Sequence, residues 1–322
     1  MKRSGKRGRI NRAVNLYPFS ARVGHGKGKA HCGELFQGEV YDQKGTRCRA
    51  LVSLPNPEST SKATFTPLLD SALLTVSPAT KRKSLKAVEL LRAELGLDHF
   101  GGHLSISSNI REGAGEGSST ADVIASLGSF ADSVRHRLSE ERLARIAVQA
   151  EGASDSTMFS VASLFAHRAG RVLEYFSRAL PALYVVGIDT DSGRAINTLD
   201  FSPAEYTEKD VQVFSTLVGA LRRGVRTHDL QLIGRVATAC SSINERYLPK
   251  PMRLEVAAAA KRLGALGVAA AHSGTVIAVL FDPSDTRLPW RLESLERRLT
   301  SLKVGRLFRF QTAGIRAGVV AA

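Results

Sequence analysis

A glycine-rich loop that runs straight into a predicted helix is the feature that most constrains this chain. Residues 111–132 read REGAGEGSSTADVIASLGSFAD, with alternating glycines, three hydroxyl residues and then apolar residues at helical spacing. Glycine allows positive φ and lets a ligand approach the backbone. A helix start carries N–H groups without partners and the positive end of the helix dipole. The segment therefore predicts an anion site, most often one for phosphate; the alternative is a turn whose Ser or Thr caps the helix.

The loop matches neither of the two commonest phosphate motifs. The Walker motif requires Lys after its last glycine, and Ser118 occupies that position. The dinucleotide fingerprint requires G-x-G-x-x-G, whereas residues 113–117 give G-x-G-x-G. The preceding segment, HLSISS, alternates as a strand should. The sequence therefore predicts a strand, a phosphate loop of another type and a helix, in that order.

Composition places the chain among soluble globular proteins. Its 322 residues are 43% hydrophobic and 23% charged, which suits one large or two ordinary domains. No apolar run approaches the roughly 18 residues of a membrane span. The three cysteines are too few and too scattered for a disulfide framework or a zinc site, which favours a cytoplasmic location. Cys32 beside a glutamate is interpreted as a small filler residue rather than a reactive thiol.

The net charge of +15 comes in part from a basic N-terminal tail, which begins MKRSGKRGRINR. The tail is predicted to be a disordered arm, since it has few apolar residues to bury. Nucleic-acid binding is the alternative that charge alone suggests. The aromatic content of 6% counts against it, because aromatic stacking platforms are common in such proteins. The remaining positive charge suits an anionic substrate such as ATP.

Hydrophobic periodicity predicts strands mixed with paired helices, which is typical of an α+β or mixed α/β protein in two lobes. A buried strand that begins near Pro181 marks the predicted domain boundary. Strands are predicted at 49–55, 62–68, 103–110, 182–190, 275–281 and 306–312. Helices are predicted at 84–97, 118–137, 139–151, 211–225, 230–248, 252–267 and 292–303, with Ser139 as the N-cap of the third.

Five short phrases, in order, resemble those of a known superfamily. They are CGELFQG at 32–38, SSTAD at 118–122, DSTMF at 155–159, LPKP at 248–251 and AHSGTV at 271–276. Together with GEGSSTA at 115–121 they resemble the GHMP kinase superfamily and, within it, the L-threonine kinases of cobalamin biosynthesis and propanediol utilisation. Arg111 stands where the superfamily's second motif has proline, so the entry to the loop differs.

The resemblance implies a fold and a reaction. The fold is the α+β two-lobe GHMP arrangement, in which residues 21–178 form an α/β ATP-binding lobe and residues 179–322 a ferredoxin-like lobe after a tail at 1–20. The implied partners are ATP, Mg²⁺ and a small amino acid, L-threonine, whose hydroxyl is phosphorylated. Serine, homoserine or a sugar stays open as an alternative acceptor, because a methyl group changes selectivity by only about 1–3 kcal/mol. The oligomeric state is left open.

The resemblance also assigns residues to the phosphoryl transfer. The phosphate-binding residues are Gly113, Ala114, Gly115, Glu116, Gly117, Ser118, Ser119 and Thr120. The Ser119 hydroxyl and Glu151 are the expected Mg²⁺ ligands; the alternative for Glu151 is a plain helix-end acid. Asp155 of DSTMF is expected to orient the acceptor hydroxyl or to act as its base.

Four residues are expected to bind the acceptor: Glu34, His272, Ser273 and Gly274. Glu34 lies in an apolar phrase, and a buried glutamate needs a partner. That partner is the substrate ammonium or the adenosine sugar, unless Glu34 simply pairs with an arginine. His272 is expected to make a contact rather than to move a proton. Lys250 between two prolines is expected to be an exposed cation.

Overall fold

The computed structural model describes residues 21–68, 71–191 and 204–312, so the predicted N-terminal tail lies outside the described residues. The strands in this part of the chain are β1 Gly24–Tyr41, β2 Arg47–Leu68, β3 Leu74–Ser77, β4 Gly101–Ser108, β5 Ser163–Ala166, β6 Arg171–Tyr175, β7 Tyr184–Asp189, β8 Gly267–Ala270, β9 Val276–Phe281 and β10 Leu307–Gln311. The helices are α1 Arg82–Glu94, α2 Ser118–Ser133, α3 Glu140–Glu151, α4 Glu208–Thr227, α5 Leu230–Asn244, α6 Arg253–Arg262 and α7 Leu288–Ser301.

The N-terminal half is built on a long antiparallel ribbon of β1 and β2, with helix α2 lying directly on β1. The alternating glycines of GHGKG explain this close approach. A Cβ at Gly26 or Gly28 would lie 2.0 Å from a carbonyl oxygen of α2. Helix α2 also contributes to a buried aromatic cluster, in which the Phe65 and Phe130 ring centroids are 5.1 Å apart. Helix α2 is thus held against the N-terminal part of β1.

The C-terminal half has the strand order β10-β7-β9-β8, with every pair antiparallel and four helices in the connections. This is the order of a ferredoxin-like fold. β8 also pairs with β1 through Glu34 and Ala270, so one sheet passes through both halves. The predicted α+β architecture of two lobes is confirmed. The predicted boundary after residue 178 falls between β6 and β7 and stays a prediction.

Most predicted elements are present, with three kinds of difference. The strands predicted at 49–55 and 62–68 are one strand, β2, which continues through its prolines. Pro55 pairs at an irregular stretch of the β1 register, and Pro67 lies beyond the last β1 pair, where a missing N–H is tolerated. Helices α2, α5 and α6 end earlier than predicted, at Ser133, Asn244 and Arg262. The long strand β1 and the short strands β3, β5, β6 and β8 were not predicted.

Two further expectations meet the structure directly. Ser139 caps α3 as predicted, since its hydroxyl accepts from the Arg142 N–H at 3.2 Å. Among the described residues, no helix is long and apolar enough to cross a membrane.

Candidate active site

The phosphate loop adopts a backbone that requires glycine. Gly113, Gly115 and Gly117 all have positive φ, at 76°, 85° and 73°. A Cβ at Gly115 would lie 2.0 Å from the Ser273 carbonyl oxygen, and one at Gly117 would lie 2.3 Å from the His31 ring. The Thr275 N–H also donates to the Ala114 carbonyl at 3.1 Å. The loop is therefore folded tightly between His31 of β1 and the turn at 271–275.

The start of helix α2 has no side-chain cap. Its N-cap is Gly117 in the left-handed conformation, so the predicted alternative of a Ser or Thr cap is wrong. The hydroxyls point elsewhere: Ser119 Oγ donates to Glu151 Oε2 at 2.7 Å, and Thr120 Oγ1 donates to Glu151 Oε1 at 3.1 Å. The first N–H groups of α2 are left facing the loop and remain available to an anion.

Glu151, the last residue of α3, lines the same cavity as Ser119. Burial raises the pKa of this carboxyl to about 7, against the opposing effect of the Ser119 hydrogen bond. The Asp155 charge raises this pKa further, and the Lys83 charge is too weak to offset the two effects. The two oxygens that the sequence paired as Mg²⁺ ligands are thus adjacent, although their role stays a prediction. The same two hydrogen bonds would also hold Glu151 in one orientation if it were only an acid at the end of a helix.

Asp155 is buried against a histidine that the sequence analysis missed. His31 Nε2 lies 3.2 Å from Asp155 Oδ2, and both side chains are almost fully buried. Burial alone would raise the pKa of Asp155, but the charge and hydrogen bond of His31 outweigh it and hold the pKa well below its usual range. Burial would likewise lower the pKa of His31, but Asp155 and Glu34 outweigh it and raise the pKa. The pair is therefore an imidazolium and a carboxylate.

Glu34 lies behind this pair and contacts two histidines. Its Oε1 is 3.4 Å from His31 Nδ1 and 3.2 Å from His272 Nδ1. The alternative of an arginine partner is therefore wrong. His272 Nδ1 is also 4.0 Å from Asp155 Oδ1. His31, Glu34 and Asp155 are close enough to suggest a metal site. However, His31 turns one ring nitrogen to each carboxylate, which fits an ion-paired imidazolium better than a metal ligand.

The expectation of an exposed Lys250 is wrong. This side chain is only 6% exposed, in the loop between α5 and α6, where it lines a small cavity of about 10 Å³ together with Glu34. Burial lowers the pKa of Lys250 to about 8, and the Glu245 carboxylate opposes that effect. The two flanking prolines restrict the backbone, but they do not determine what packs over the side chain. The exposure of Lys250 was therefore predicted wrongly.

A cavity of about 310 Å³ joins these groups. The predicted phosphate-loop residues other than the buried Ala114, the segment from Glu151 to Asp155, His272 and Ser273 line it. Two predicted acceptor residues, Glu34 and Gly274, do not belong to its wall, although both lie directly behind it. The wall also contains two exposed cations, Lys83 and Arg168, which no sequence motif marked.

The acidic side chain in the phosphate loop is paired with an arginine of the C-terminal half. Glu116 is buried, and Arg306 Nη1 donates to its Oε1 at 2.7 Å. Arg111, the departure from the proline of the motif, similarly pairs with Asp189 at 3.0 Å. Both contacts fasten the loop to the C-terminal half. Cys32 nearby is fully buried, and burial and the Glu116 charge raise its thiol pKa, which confirms the filler interpretation.

Three comparisons agree with this geometry. Residues 82–165 match the family model described as GHMP kinases N terminal domain. An L-threonine kinase from Salmonella typhimurium strain LT2 is 26% identical over 260 residues, covering 79% of this chain and 81% of the relative. A homoserine kinase structure from Cytophaga hutchinsonii superimposes with a TM-score of 0.66 at 17% identity, covering 93% of this chain and 98% of that one. The complex of MDDEF with MVAPP, AMPPCP and magnesium gives a TM-score of 0.59 at 16% identity, with 91% and 98% covered.

The fold resembles that of homoserine and mevalonate kinases, and residues 82–165 match the N-terminal domain of GHMP kinases. These comparisons indicate a phosphotransferase that acts on an alcohol group, and the chain is similar in sequence to proteins named L-threonine kinase.

Proposed function

We propose that this enzyme transfers the γ-phosphoryl group of ATP to the side-chain hydroxyl of L-threonine and releases L-threonine O-3-phosphate. The observation that carries the proposal is that an ionised, buried Asp155 and the uncapped start of α2 open onto one cavity. The similarity to relatives named L-threonine kinase supports threonine as the acceptor. We place the reaction in the cytoplasm and in cobalamin biosynthesis on the strength of the five shared phrases.

The phosphate loop would hold the triphosphate through its backbone N–H groups and the positive end of α2. Mg²⁺ fits beside it, because Ser119 and Glu151 offer adjacent oxygens and Mg²⁺ prefers oxygen ligands. The raised pKa of Glu151 is a further sign of fit, since a cation would supply the positive charge that this carboxyl lacks. When bound, Mg²⁺ would neutralise the charge that develops on the phosphates.

Asp155 would orient and then deprotonate the acceptor. The threonine hydroxyl donates a hydrogen bond to the carboxylate, which turns its oxygen toward the γ-phosphorus. The new oxygen–phosphorus bond forms while the bond from the γ-phosphorus to the bridging oxygen breaks, so that ADP leaves and the hydroxyl proton passes to Asp155. Because His31 lowers the pKa of Asp155, the carboxylate is a weak base before the reaction. Asp155 then contributes as a base mainly late in the transfer, when the attacking hydroxyl has become acidic enough to lose its proton.

The remaining predictions for the site belong to the same proposal. Residues 21–178 would form the ATP-binding lobe and residues 179–322 the second lobe. His272 and Ser273 of the second lobe would contact the acceptor, and Gly274 would shape their turn from behind the cavity wall. Glu34 would influence the acceptor indirectly, by orienting His272, to which it is hydrogen-bonded at 3.2 Å.

A panel of acceptors tests the proposal. ADP release would be followed with L-threonine, L-serine, L-homoserine, galactose and mevalonate, and the product identified by ³¹P NMR. We expect L-threonine to be preferred over L-serine by about 10- to 200-fold, the range that one methyl group supplies. Galactose and mevalonate should not react. A strong preference for another alcohol would reject L-threonine and keep the kinase, whereas no ADP release with any acceptor would reject both.

A further inference from the structure

Two cations in the cavity wall are not used by the mechanism above. Lys83 and Arg168 are both exposed, and neither makes a hydrogen bond or ion pair within the described residues. They have different neighbours. Lys83, near the start of α1, acts electrostatically on Glu151. Arg168 acts on His167, whose ring centroid is 5.9 Å from that of His272. One cation therefore belongs to the metal and phosphate side of the cavity, and the other to the Asp155 and His272 side.

The backbone holds Arg168 next to Asp155. Arg168 lies in the turn between β5 and β6, which is closed by the Gly170 N–H donating to the Ala166 carbonyl at 2.9 Å. The Ser154 N–H donates to the His167 carbonyl at 3.0 Å. This hydrogen bond ties the residue before Asp155 to the residue before Arg168. The two side chains are therefore carried into the cavity by neighbouring, connected segments.

The electrostatics on this side favour an anion. Next to Arg168 in the chain, burial above all, together with the charges of His272 and Arg168, lowers the pKa of His167 to about 3. Positive charge is therefore already concentrated there, while the carboxylate of Asp155 is paired with His31. An anionic group placed near Asp155 would be repelled by that carboxylate unless a cation such as Arg168 met it.

We propose that Arg168 binds the α-carboxylate of the acceptor and thereby makes this kinase specific for hydroxy amino acids over simple alcohols. The proposal rests on the proposed function. In L-threonine only one carbon atom separates the hydroxyl-bearing carbon from the carboxyl carbon, so groups that bind the two must be neighbours, as Asp155 and Arg168 are. The planar guanidinium matches a carboxylate with two parallel hydrogen bonds.

Two acceptors and three variants test this assignment. L-Threonine and 1-amino-2-propanol both carry the same secondary alcohol and an amine, and only L-threonine carries a carboxylate. Arg168→Gln removes the guanidinium charge, and Arg168→Lys keeps a charge without the fork. Arg137→Gln is the matched control, because Arg137 is an exposed arginine outside the cavity wall. Circular dichroism and thermal unfolding would establish that each variant is folded.

We expect Arg168→Gln to raise KM for L-threonine about 10- to 100-fold, the effect of losing charge-assisted hydrogen bonds. Its kcat should change less, because the contact is made equally in the bound and transition states. KM for ATP and the rate with 1-amino-2-propanol should stay near wild type. Arg168→Lys should recover part of the affinity, and Arg137→Gln should match wild type.

Three results would overturn the assignment. They are an equal loss with both acceptors, a rise in KM for ATP instead of L-threonine, and an effect of Arg137→Gln as large as that of Arg168→Gln. The wild-type enzyme separates this test from the proposed function. Preference for another hydroxy amino acid would reject L-threonine, and Arg168 would then be measured on that amino acid. Preference for an acceptor without a carboxylate would reject both.

Discussion

The end of helix α3 and the loop after it each carry a carboxyl group of the same cavity, yet the two groups are held in opposite states. Glu151 is surrounded by hydroxyls and has a pKa raised to about 7. Asp155, four residues later, faces an imidazolium and has a pKa far below its usual range. Hydroxyl dipoles do not offset the cost of desolvating a carboxylate, whereas a buried opposite charge does.

The difference in pKa indicates which carboxyl group still lacks a counter-charge. Asp155 has its counter-charge inside the protein, so it is ready to accept a hydrogen bond from a neutral alcohol. Glu151 lacks such a charge within hydrogen-bonding distance, so an incoming cation would stabilise its ionised form. A phosphoryl-transfer site needs both kinds of carboxylate, one for the acceptor and one for the metal.

Removing the ionised member should have the largest effect. Asp155→Asn keeps the size of the side chain but removes its basicity. We expect ATP binding to be unchanged and phosphorylation of L-threonine to slow by at least about 100-fold, within the range of general-base catalysis. Single-turnover kinetics with a fluorescent ATP analogue would measure both. Full activity in this variant would leave positioning and the metal as the whole mechanism.

The metal side should respond next. Ser119→Ala removes one of the two adjacent oxygens, and we expect the Mg²⁺ concentration for half-maximal rate to rise on the order of 10–100-fold. The Tm should change little, because the helix start does not depend on this hydroxyl for a cap. A Mg²⁺ titration at fixed ATP measures the first quantity and thermal unfolding the second. An unchanged Mg²⁺ dependence would remove Ser119 from the metal site.

The sequence predicted the architecture well because its strongest signals are local. Alternating glycines, the Ser139 cap and the helical periodicity of α3 each depend on residues close together in the chain. The DSTMF phrase also pointed to Asp155, and the resemblance pointed to Glu151 as an acid at the end of a helix. The counter-charge of Asp155 was missed because His31 lies more than a hundred residues earlier, in β1, and nothing local marks it as a partner. Arg168 was missed because it lies in the turn between β5 and β6, two short strands that the sequence pattern did not predict.

His31 should have a smaller but diagnostic effect. His31→Gln removes the charge that holds the Asp155 pKa down, so that pKa should rise under the influence of burial. Asp155 would then become protonated as the pH falls through a higher value, and an acid limb should appear in the profile of kcat against pH. At pH 8 we expect a loss of about tenfold, which is smaller than the roughly 10²–10⁴-fold contribution of a general base because Asp155 itself is retained. A profile that matches wild type would show that the pair is only structural.

The smallest predicted effect is on stability and concerns Glu151. The folded-state pKa is raised to about 7, so folding favours the protonated form. The stability associated with this group is fully present below the unfolded pKa and is lost as the pH rises through about 7.

Glu151→Gln cannot ionise and should keep that stability. We therefore expect the variant to exceed wild type by on the order of 1 kcal/mol at pH 8 and to match it at pH 4 in urea unfolding without metal. Saturating Mg²⁺ should narrow the gap at pH 8, because the cation stabilises only the ionised wild-type carboxylate. If the two proteins differ equally at both pH values, the carboxyl is not desolvated and the contrast with Asp155 is lost.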